Sequence, residues 1–325
     1  MKFAHLRERF GSDIINLDVI ESDIKTSEEL EGVNPKLWYL FEDKKVLFKE
    51  TPEPYGCIGE VLYAKLAKQC DLDCAEYYFA TRDGNEGVLT PDFIKGNEYI
   101  SGDDLIFNHH SPLMANSKNI DKLLIGYYRH EDSKRNNLHD VRRYLEKEFE
   151  DKEVVNKLEK QLLKMFVLDY LLYQEDRHSS NWGILKNESS ANLIVFENEN
   201  ILNMTRDKKY FEEMKNKIAK GEKVENDKQR GKYTFSLLPA DSDTPFLEQI
   251  LQVYKNGDVK KQEVIESVLG YFNFEDEITN FEFLKKLDSD LKYVSYMQVA
   301  NRKVALIRGV EKIKEERKLE AGKTR

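Results

Sequence analysis

The strongest constraint on the fold is a long amphipathic segment in the middle of the chain. Its apolar residues recur every three or four positions between Val155 and Phe166, as one face of a helix requires. The pattern predicts a long buried helix over about residues 152–173. Similar patterns predict further helices at about 244–254, 260–271 and 280–287. The second half of the chain should therefore be mainly helical. The Lys- and Glu-rich tail after Val310 is expected to be only partly ordered.

The first half of the chain is richer in strand patterns. Short β-rich runs predict two hairpins, at 37–41 with 45–50 and at 77–82 with 86–94. Between the hairpins, Ile58, Leu62 and Leu66 recur every four residues, which predicts an amphipathic helix over 57–69. The order therefore indicates an α+β protein with a small strand-rich part followed by a larger helical part.

Charge and hydropathy restrict the partners and the location of the protein. The net charge of −9 over 325 residues disfavours direct binding to nucleic acid or to anionic membranes, because both need an excess of Lys and Arg. The N-terminal segment lacks the apolar core of a signal peptide. Lys164 and Asp169 interrupt the most apolar helical stretch, which is too short to span a bilayer. We therefore expect a cytoplasmic protein, and secretion as an effector stays an open alternative.

The cysteine content does not indicate a disulfide framework. The three cysteines are Cys57, Cys70 and Cys74, an odd number without a C-x-x-C pair. Cys70 and Cys74 could bind zinc together with a histidine. Thiols that pack between helices in a reducing compartment are the simpler expectation.

The segment 175–185 carries the clearest chemical signal. It follows the long predicted helix and reads Glu-Asp-Arg-His-Ser-Ser-Asn-Trp-Gly-Ile-Leu. Phosphoryl transfer needs a carboxylate beside the acceptor hydroxyl and an oxygen ligand for Mg²⁺ on the phosphates. Asp176 and Asn181, five positions apart on a tight loop, supply both groups. The alternative is that Asp176 caps a turn and Asn181 begins a strand. The register of the neighbouring Arg, His and Trp-Gly-Ile-Leu favours the catalytic interpretation.

The loop resembles that of a known family. Its Asp-Arg-His-x-x-Asn order is similar to the HipA-like serine/threonine kinases, and more distantly to the phosphatidylinositol kinases. The longer run 169–185 looks most like the compact relatives of the CtkA type. The resemblance implies a bilobal protein-kinase-like fold, with a small β-rich N-lobe over 1–95 and a larger helical C-lobe over 96–325. It also implies ATP and Mg²⁺ as cofactors and a protein substrate.

The resemblance assigns nucleotide-binding roles in the N-lobe. Gly32, Asn34 and Lys36 match the family's phosphate loop, whose backbone amides and lysine contact the β- and γ-phosphates. Lys49 ends an apolar strand and matches the lysine that contacts the α- and β-phosphates, with Glu60 on the next helix as its partner. Each of these residues alone would be an ordinary surface or turn residue, and their order along the chain supports the assignment.

The resemblance also implies the position of the hinge, the base and the metal ligands. The backbone of Asp92, Phe93 and Ile94, at the end of the second hairpin, would bind the adenine edge. Asp176 would be the catalytic base, and Asn181 would bind Mg²⁺ together with Glu197.

Glu197 departs from the family pattern, because the second metal ligand is usually an aspartate. The additional methylene displaces the carboxylate by roughly 1.5 Å, and a displacement of about 1 Å can cost about 100-fold in rate. Glu29 also replaces the serine that many family members autophosphorylate. Three functions therefore stay open: a protein kinase, a nucleotide-binding pseudokinase that acts as a switch or scaffold, and a small-molecule or lipid phosphotransferase. A separate antitoxin-type protein is a further expected partner.

Overall fold

The computed structural model describes residues 14–19, 25–26, 36–41, 44–51, 55–94, 96–110, 136–222, 235–238, 244–280 and 289–323. These residues begin with a six-stranded sheet and continue into a predominantly helical region. This architecture confirms the predicted α+β, bilobal kinase-like fold.

The N-terminal sheet has the strand order β1-β5-β6-β4-β3-β2. Its strands are β1 (Ile14–Asn16), β2 (Lys25–Thr26), β3 (Lys36–Phe41), β4 (Lys44–Glu50), β5 (Tyr78–Arg82) and β6 (Asn85–Pro91). Only β1 and β5 pair in parallel, and the other neighbours are antiparallel. Both predicted hairpins are confirmed, as β3–β4 and β5–β6.

Helix α1 (Gly56–Gln69) packs against this sheet and buries most of its length. Val61, Leu62 and Leu66 belong to a large hydrophobic core that continues into the helical region. A separate small cluster that includes Val46 and Phe48 stabilises the sheet itself. The sheet is therefore held both by its own apolar cluster and by a helix that shares its core with the rest of the protein.

The second region is built around the predicted central helix. Its elements are β7 (Glu98–Ser101), α2 (Gly102–His110), β8 (Asn136–Asn137), α3 (Leu138–Glu148), α4 (Lys152–Leu171), β9 (Trp182–Asn187), β10 (Ser190–Val195), α5 (Lys208–Ala219), β11 (Phe235–Ser236), α6 (Phe246–Asn256), α7 (Val259–Tyr271), α8 (Phe274–Asn280) and α9 (Ser289–Lys323). Helix α4 contacts α3, α6, α7, α9 and strand β10. It therefore forms the centre of the helical region and fixes the segment that follows it.

The predicted helices agree with the structure except near the C-terminus. Helices α6 and α7 confirm two of them, whereas most of the predicted helix at 280–287 falls outside the described residues. The expectation of a partly ordered tail is wrong, because α9 runs as one helix to Lys323. Leu306, Val310 and Ile313 are buried at helical spacing in the main hydrophobic core. Their burial anchors the helix past Val310.

Two smaller observations concern membranes and thiols. None of the helices in the described ranges is long and apolar enough to cross a membrane. Cys57 and Cys70 are buried free thiols, and Cys74 is partly buried. Burial raises the pKa of Cys57 and of Cys70 to about 11, so both thiols are protonated at neutral pH.

Candidate active site

The loop that follows α4 places Asp176 and Asn181 next to each other. The Asn181 side-chain amide donates a hydrogen bond to the backbone carbonyl of Asp176 (2.7 Å). The Asn200 amide donates to Asp176 Oδ2 (3.3 Å), and the Gln174 side chain accepts from the Asp176 backbone N–H (3.1 Å). The aspartate is thus held from three directions, and its second carboxylate oxygen is not used by any of these contacts.

Two buried oxygen atoms remain available at this point. Within the described part of the chain, neither Asp176 Oδ1 nor Asn181 Oδ1 has a hydrogen-bond partner. Buried acceptors without a partner are uncommon in folded proteins and call for an explanation such as a bound ion or a catalytic role. Both atoms are hard oxygen donors of the kind that Mg²⁺ prefers.

Arg177, which lies between these two residues in the sequence, holds the loop through several buried hydrogen bonds. Its guanidinium is completely buried and makes two hydrogen bonds of 3.1 Å to the Asp169 carboxylate on α4. It also donates to the carbonyls of Asn181 (3.1 Å) and Phe196 (3.0 Å) and to Asn198 Oδ1 (2.6 Å). One cation therefore connects the central helix, the loop that carries Asp176 and Asn181, and the segment that follows β10.

The predicted Lys49–Glu60 pair is present and buried. Lys49 Nζ lies 2.9 Å from Glu60 Oε1, with side chains only 6% and 0% exposed. Burial lowers the pKa of Lys49, but the neighbouring carboxylates raise it by more, so its pKa lies above the ordinary value. Lys49 is therefore a cation at neutral pH.

Lys36 lies directly beside Lys49. The two residues are paired across β3 and β4, and residues opposite one another in antiparallel strands share a face of the sheet. Lys36 Nζ contacts Glu197 Oε1 at 2.6 Å. The sheet register thus explains why both predicted phosphate-binding lysines face the same side.

The segment 197–200 joins the two regions. The Asn198 N–H donates to Glu60 Oε2 (2.7 Å), and the Glu197 N–H donates to the Tyr77 hydroxyl (3.1 Å). On the other side, the Asn200 carbonyl accepts from the Glu175 N–H (3.2 Å). This segment therefore contacts both the helix that carries Glu60 and the loop that carries Asp176.

Two backbone features allow this close approach. Glu197 has a positive φ of 54°, a left-handed conformation that is uncommon for residues other than glycine. A Cβ atom on Gly59 of α1 would lie 2.7 Å from the carbonyl oxygen of Glu199. Helix α1 can thus approach the segment only because position 59 lacks a side chain.

The titratable groups around the loop are shifted by burial and by their neighbours. Burial alone would raise the pKa of the Glu197 carboxyl, but Lys49 and Lys36 lower it, and the resulting pKa lies below its ordinary value. Burial lowers the pKa of His178 despite the carboxylates near it. At neutral pH, Glu197 is therefore an anion and His178 is uncharged.

Two backbone N–H groups of the predicted hinge already donate hydrogen bonds within the chain. The Asp92 N–H donates to the Lys45 carbonyl (3.0 Å), and the Ile94 N–H donates to the Asp92 carboxylate (3.0 Å). Phe93 stacks on Phe196 with ring centroids 5.5 Å apart, so the hinge borders the segment 197–200. Gly32 and Asn34 of the predicted phosphate loop lie outside the described residues.

Several contacts at this site were not predicted from the sequence. Glu199 Oε2 lies 2.9 Å from Lys49 Nζ, and Asn200 holds Asp176. The Asp169–Arg177 pair was also missed. One signal for it was visible, because Asp169 places a charge within the otherwise apolar run 165–172, and charged residues are rarely buried unless they are paired.

The residues present fit a magnesium ion that is shared with phosphates. Within the described ranges, no three His, Cys, Asp or Glu side chains cluster as a complete metal site. Mg²⁺ normally keeps several waters and binds through one or two carboxylates together with substrate phosphates. The Asn181 amide oxygen, which has no partner among the described residues, and the Glu197 carboxylate are oxygen donors of the kind that would hold such an ion.

Comparison with solved structures shows where this fold occurs. The proinflammatory kinase CtkA of Helicobacter pylori superposes with a TM-score of 0.67 at 18% identity, over 92% of this chain and 98% of that protein. HipA, from a complex of the toxin–antitoxin system HipA and HipB with operator DNA of Shewanella oneidensis MR-1, gives a TM-score of 0.47 at 11% identity. That match covers 97% of this chain and 72% of HipA.

The sequence comparisons give no such match. No protein-family model matches the chain, and no curated protein matches it at a significant level. The structural comparison agrees with the resemblance seen in the motif of residues 176–181. The chain therefore shares the two-lobed fold of CtkA.

Proposed function

We propose that the protein is an ATP- and Mg²⁺-dependent phosphotransferase, and specifically a serine/threonine protein kinase. One observation carries the proposal: the segment 197–200 contacts Lys36, Lys49 and Glu60 on one side and the Asp176 loop on the other. One short segment thus contacts both the lysines that can bind phosphates and the loop whose carboxylate can act on a hydroxyl. The serine/threonine preference is supported by the Asp-Arg-His-x-x-Asn motif alone.

The two lysines bind the polyphosphate in this proposal. Lys49 is oriented by Glu60, which in turn is fixed by the Asn198 N–H. Because Glu60 is completely buried, any movement of Lys49 away from it would leave the Glu60 carboxylate in the core without its cation. Such a fixed cation stabilises negative charge without reorganisation during the reaction.

Asn181 and Glu197 would hold the metal ion, which when bound neutralises charge on the transferred phosphoryl group. The Asn181 amide is oriented by its hydrogen bond to the Asp176 carbonyl, and its Oδ1 has no partner among the described residues. Glu197 gives up its contact with Lys36 when the lysine binds phosphate. The Asn181 side chain is thus positioned by an existing hydrogen bond, whereas Glu197 is then held through its backbone N–H, which donates to the Tyr77 hydroxyl.

Asp176 orients the acceptor hydroxyl and accepts its proton at Oδ1. As the bond from the acceptor oxygen to the γ-phosphorus forms, the bond from that phosphorus to the β-phosphate oxygen breaks and ADP leaves. Asn200 holds the other carboxylate oxygen, so the proton-accepting atom keeps one orientation. General base catalysis of this kind contributes about 10²- to 10⁴-fold.

The Asp176→Asn variant tests the proposal. The replacement keeps an oxygen acceptor for Asn200 and removes the base, so we expect nucleotide binding to persist and phosphoryl transfer to fall by at least about 100-fold. Transfer is measured with γ-labelled ATP against proteins, nucleosides, sugars and phosphoinositides, and binding by the melting temperature. Glu188→Gln, on the exposed turn between β9 and β10, is the matched control and should retain both properties.

The outcomes separate the three functions. Labelling of protein that Asp176→Asn abolishes supports the kinase. Labelling of a small molecule or lipid instead supports the alternative that the protein is a small-molecule or lipid phosphotransferase. Nucleotide binding without transfer to any acceptor supports the pseudokinase, and transfer at the wild-type rate by Asp176→Asn contradicts the assigned base. The antitoxin-type partner stays a prediction.

A further inference from the structure

Glu199 makes a contact that the proposed reaction does not require. Its carboxylate oxygen lies 2.9 Å from Lys49 Nζ, the same distance as Glu60. Lys49 therefore has two carboxylate partners from different parts of the fold. One of them is the helix glutamate of the proposed kinase pair, and the other lies two residues after the proposed metal ligand Glu197.

Carboxylates outnumber lysines in the contacts at this point. Among the described residues, Lys36 and Lys49 contact three carboxylates, those of Glu60, Glu197 and Glu199. A polyphosphate can reach these lysines only if a carboxylate moves away or a divalent cation compensates for it.

Burial distinguishes which carboxylate can move. The Glu60 side chain is 0% exposed, and its second oxygen accepts the Asn198 N–H. The Glu199 side chain is 16% exposed and lies on a loop segment. Exchanging Glu199 for a phosphate would keep Lys49 paired with Glu60, whereas exchanging Glu60 would leave a buried carboxylate without its cation.

We propose that Glu199 is an internal competitor of the nucleotide, occupying on Lys49 the place of a phosphate oxygen in the nucleotide-free protein. This inference rests on the proposed function, because it identifies Lys49 as a phosphate-binding residue. The Lys49–Glu199 contact closes the site until a nucleotide displaces the carboxylate. The apparent dissociation constant of the nucleotide then equals its intrinsic value divided by the fraction of molecules in which Glu199 does not contact Lys49.

The Glu199→Gln variant tests the competition. Its amide cannot form the ion pair, so ADP should bind more tightly, by about tenfold if the contact closes about nine molecules in ten. Calorimetry should compare wild type and variant with ADP and Mg²⁺, and again with ADP and a chelator. Because the competition is for the lysine, the tightening should appear under both conditions. Glu188→Gln should bind ADP as the wild type does.

Each outcome decides the inference. Equal affinity of wild type and Glu199→Gln would overturn it while leaving the proposed function intact. Weaker binding of Glu199→Gln only when Mg²⁺ is present would overturn it in favour of Glu199 as a metal ligand. Absence of ADP binding by both proteins, with melting temperatures that show them folded, would overturn the proposed function and this inference together. Binding by the variant alone would support both.

Discussion

At the residue scale, the charge of Glu197 matters for one contact in the structure and for one proposed role. Its carboxylate contacts Lys36, and in the proposed complex it would contact the metal. The side chain is longer than the family's aspartate by roughly 1.5 Å. The ion pair with Lys36 shows that the longer side chain reaches across to the N-lobe sheet.

The pH dependence of this ion pair can be measured. Because the folded-state pKa of Glu197 lies below its ordinary value of 4.5, the pair contributes fully above about pH 4.5 and is lost as the pH falls through the lower folded-state value. Glu197→Gln should therefore be less stable than wild type at neutral pH. Urea unfolding of both proteins should show the difference persisting at pH 5 and disappearing only at lower pH. A difference already lost at pH 5 would contradict the assigned direction.

The sequence pointed to candidate site residues and said little about their contacts. Asp176, Asn181, Lys49 and Glu60 were chosen as candidates because their order and spacing along the chain follow a motif. The contact of Glu199 with Lys49 joins residues 150 positions apart, and no local pattern encodes it. Such pairings depend on the three-dimensional approach of elements, which a single sequence does not display.

At the scale of elements, helix α1 and the segment 197–200 are in direct backbone contact. Gly59 makes this contact, and its neighbour Glu60 binds both Lys49 and the Asn198 N–H. The helix was predicted from its apolar spacing. The significance of Gly59 was not predicted, since a helical glycine at a close approach looks in sequence like any unfavourable helix residue.

Gly59→Ala should separate these two elements. The new methyl group would lie 2.7 Å from the Glu199 carbonyl oxygen, and such overpacking typically costs about 1–3 kcal/mol. We expect a lower free energy of unfolding and weaker ADP binding, measured by urea titration and calorimetry.

Gly270→Ala on α7 is the matched control. Nothing lies within 4 Å of a Cβ atom at that position, so the change should preserve or raise stability by up to about 1 kcal/mol through helix propensity. Equal effects of the two substitutions would show that the close approach at Gly59 does not matter.

At the scale of the whole molecule, the two regions share one hydrophobic core. Buried residues of α1, such as Leu62, belong to the same cluster as Phe166 of the central helix. The segment 197–200 adds polar contacts across the same boundary. The architecture was predictable because hydrophobic periodicity reports strands and helices, whereas the extent of α9 was not, because its anchoring contacts are tertiary.

The central claim is that a polyphosphate and a divalent ion lie between the two lysines and the Asp176 loop. A crystal structure with Mg²⁺ and a non-hydrolysable ATP analogue tests it most directly. We predict a metal ion at about 2.0–2.1 Å from Asn181 Oδ1 and from a Glu197 oxygen, with phosphates on Lys36 and Lys49 and with Glu199 displaced. A nucleotide bound elsewhere, or a metal ion that Asn181 does not contact, would contradict the account.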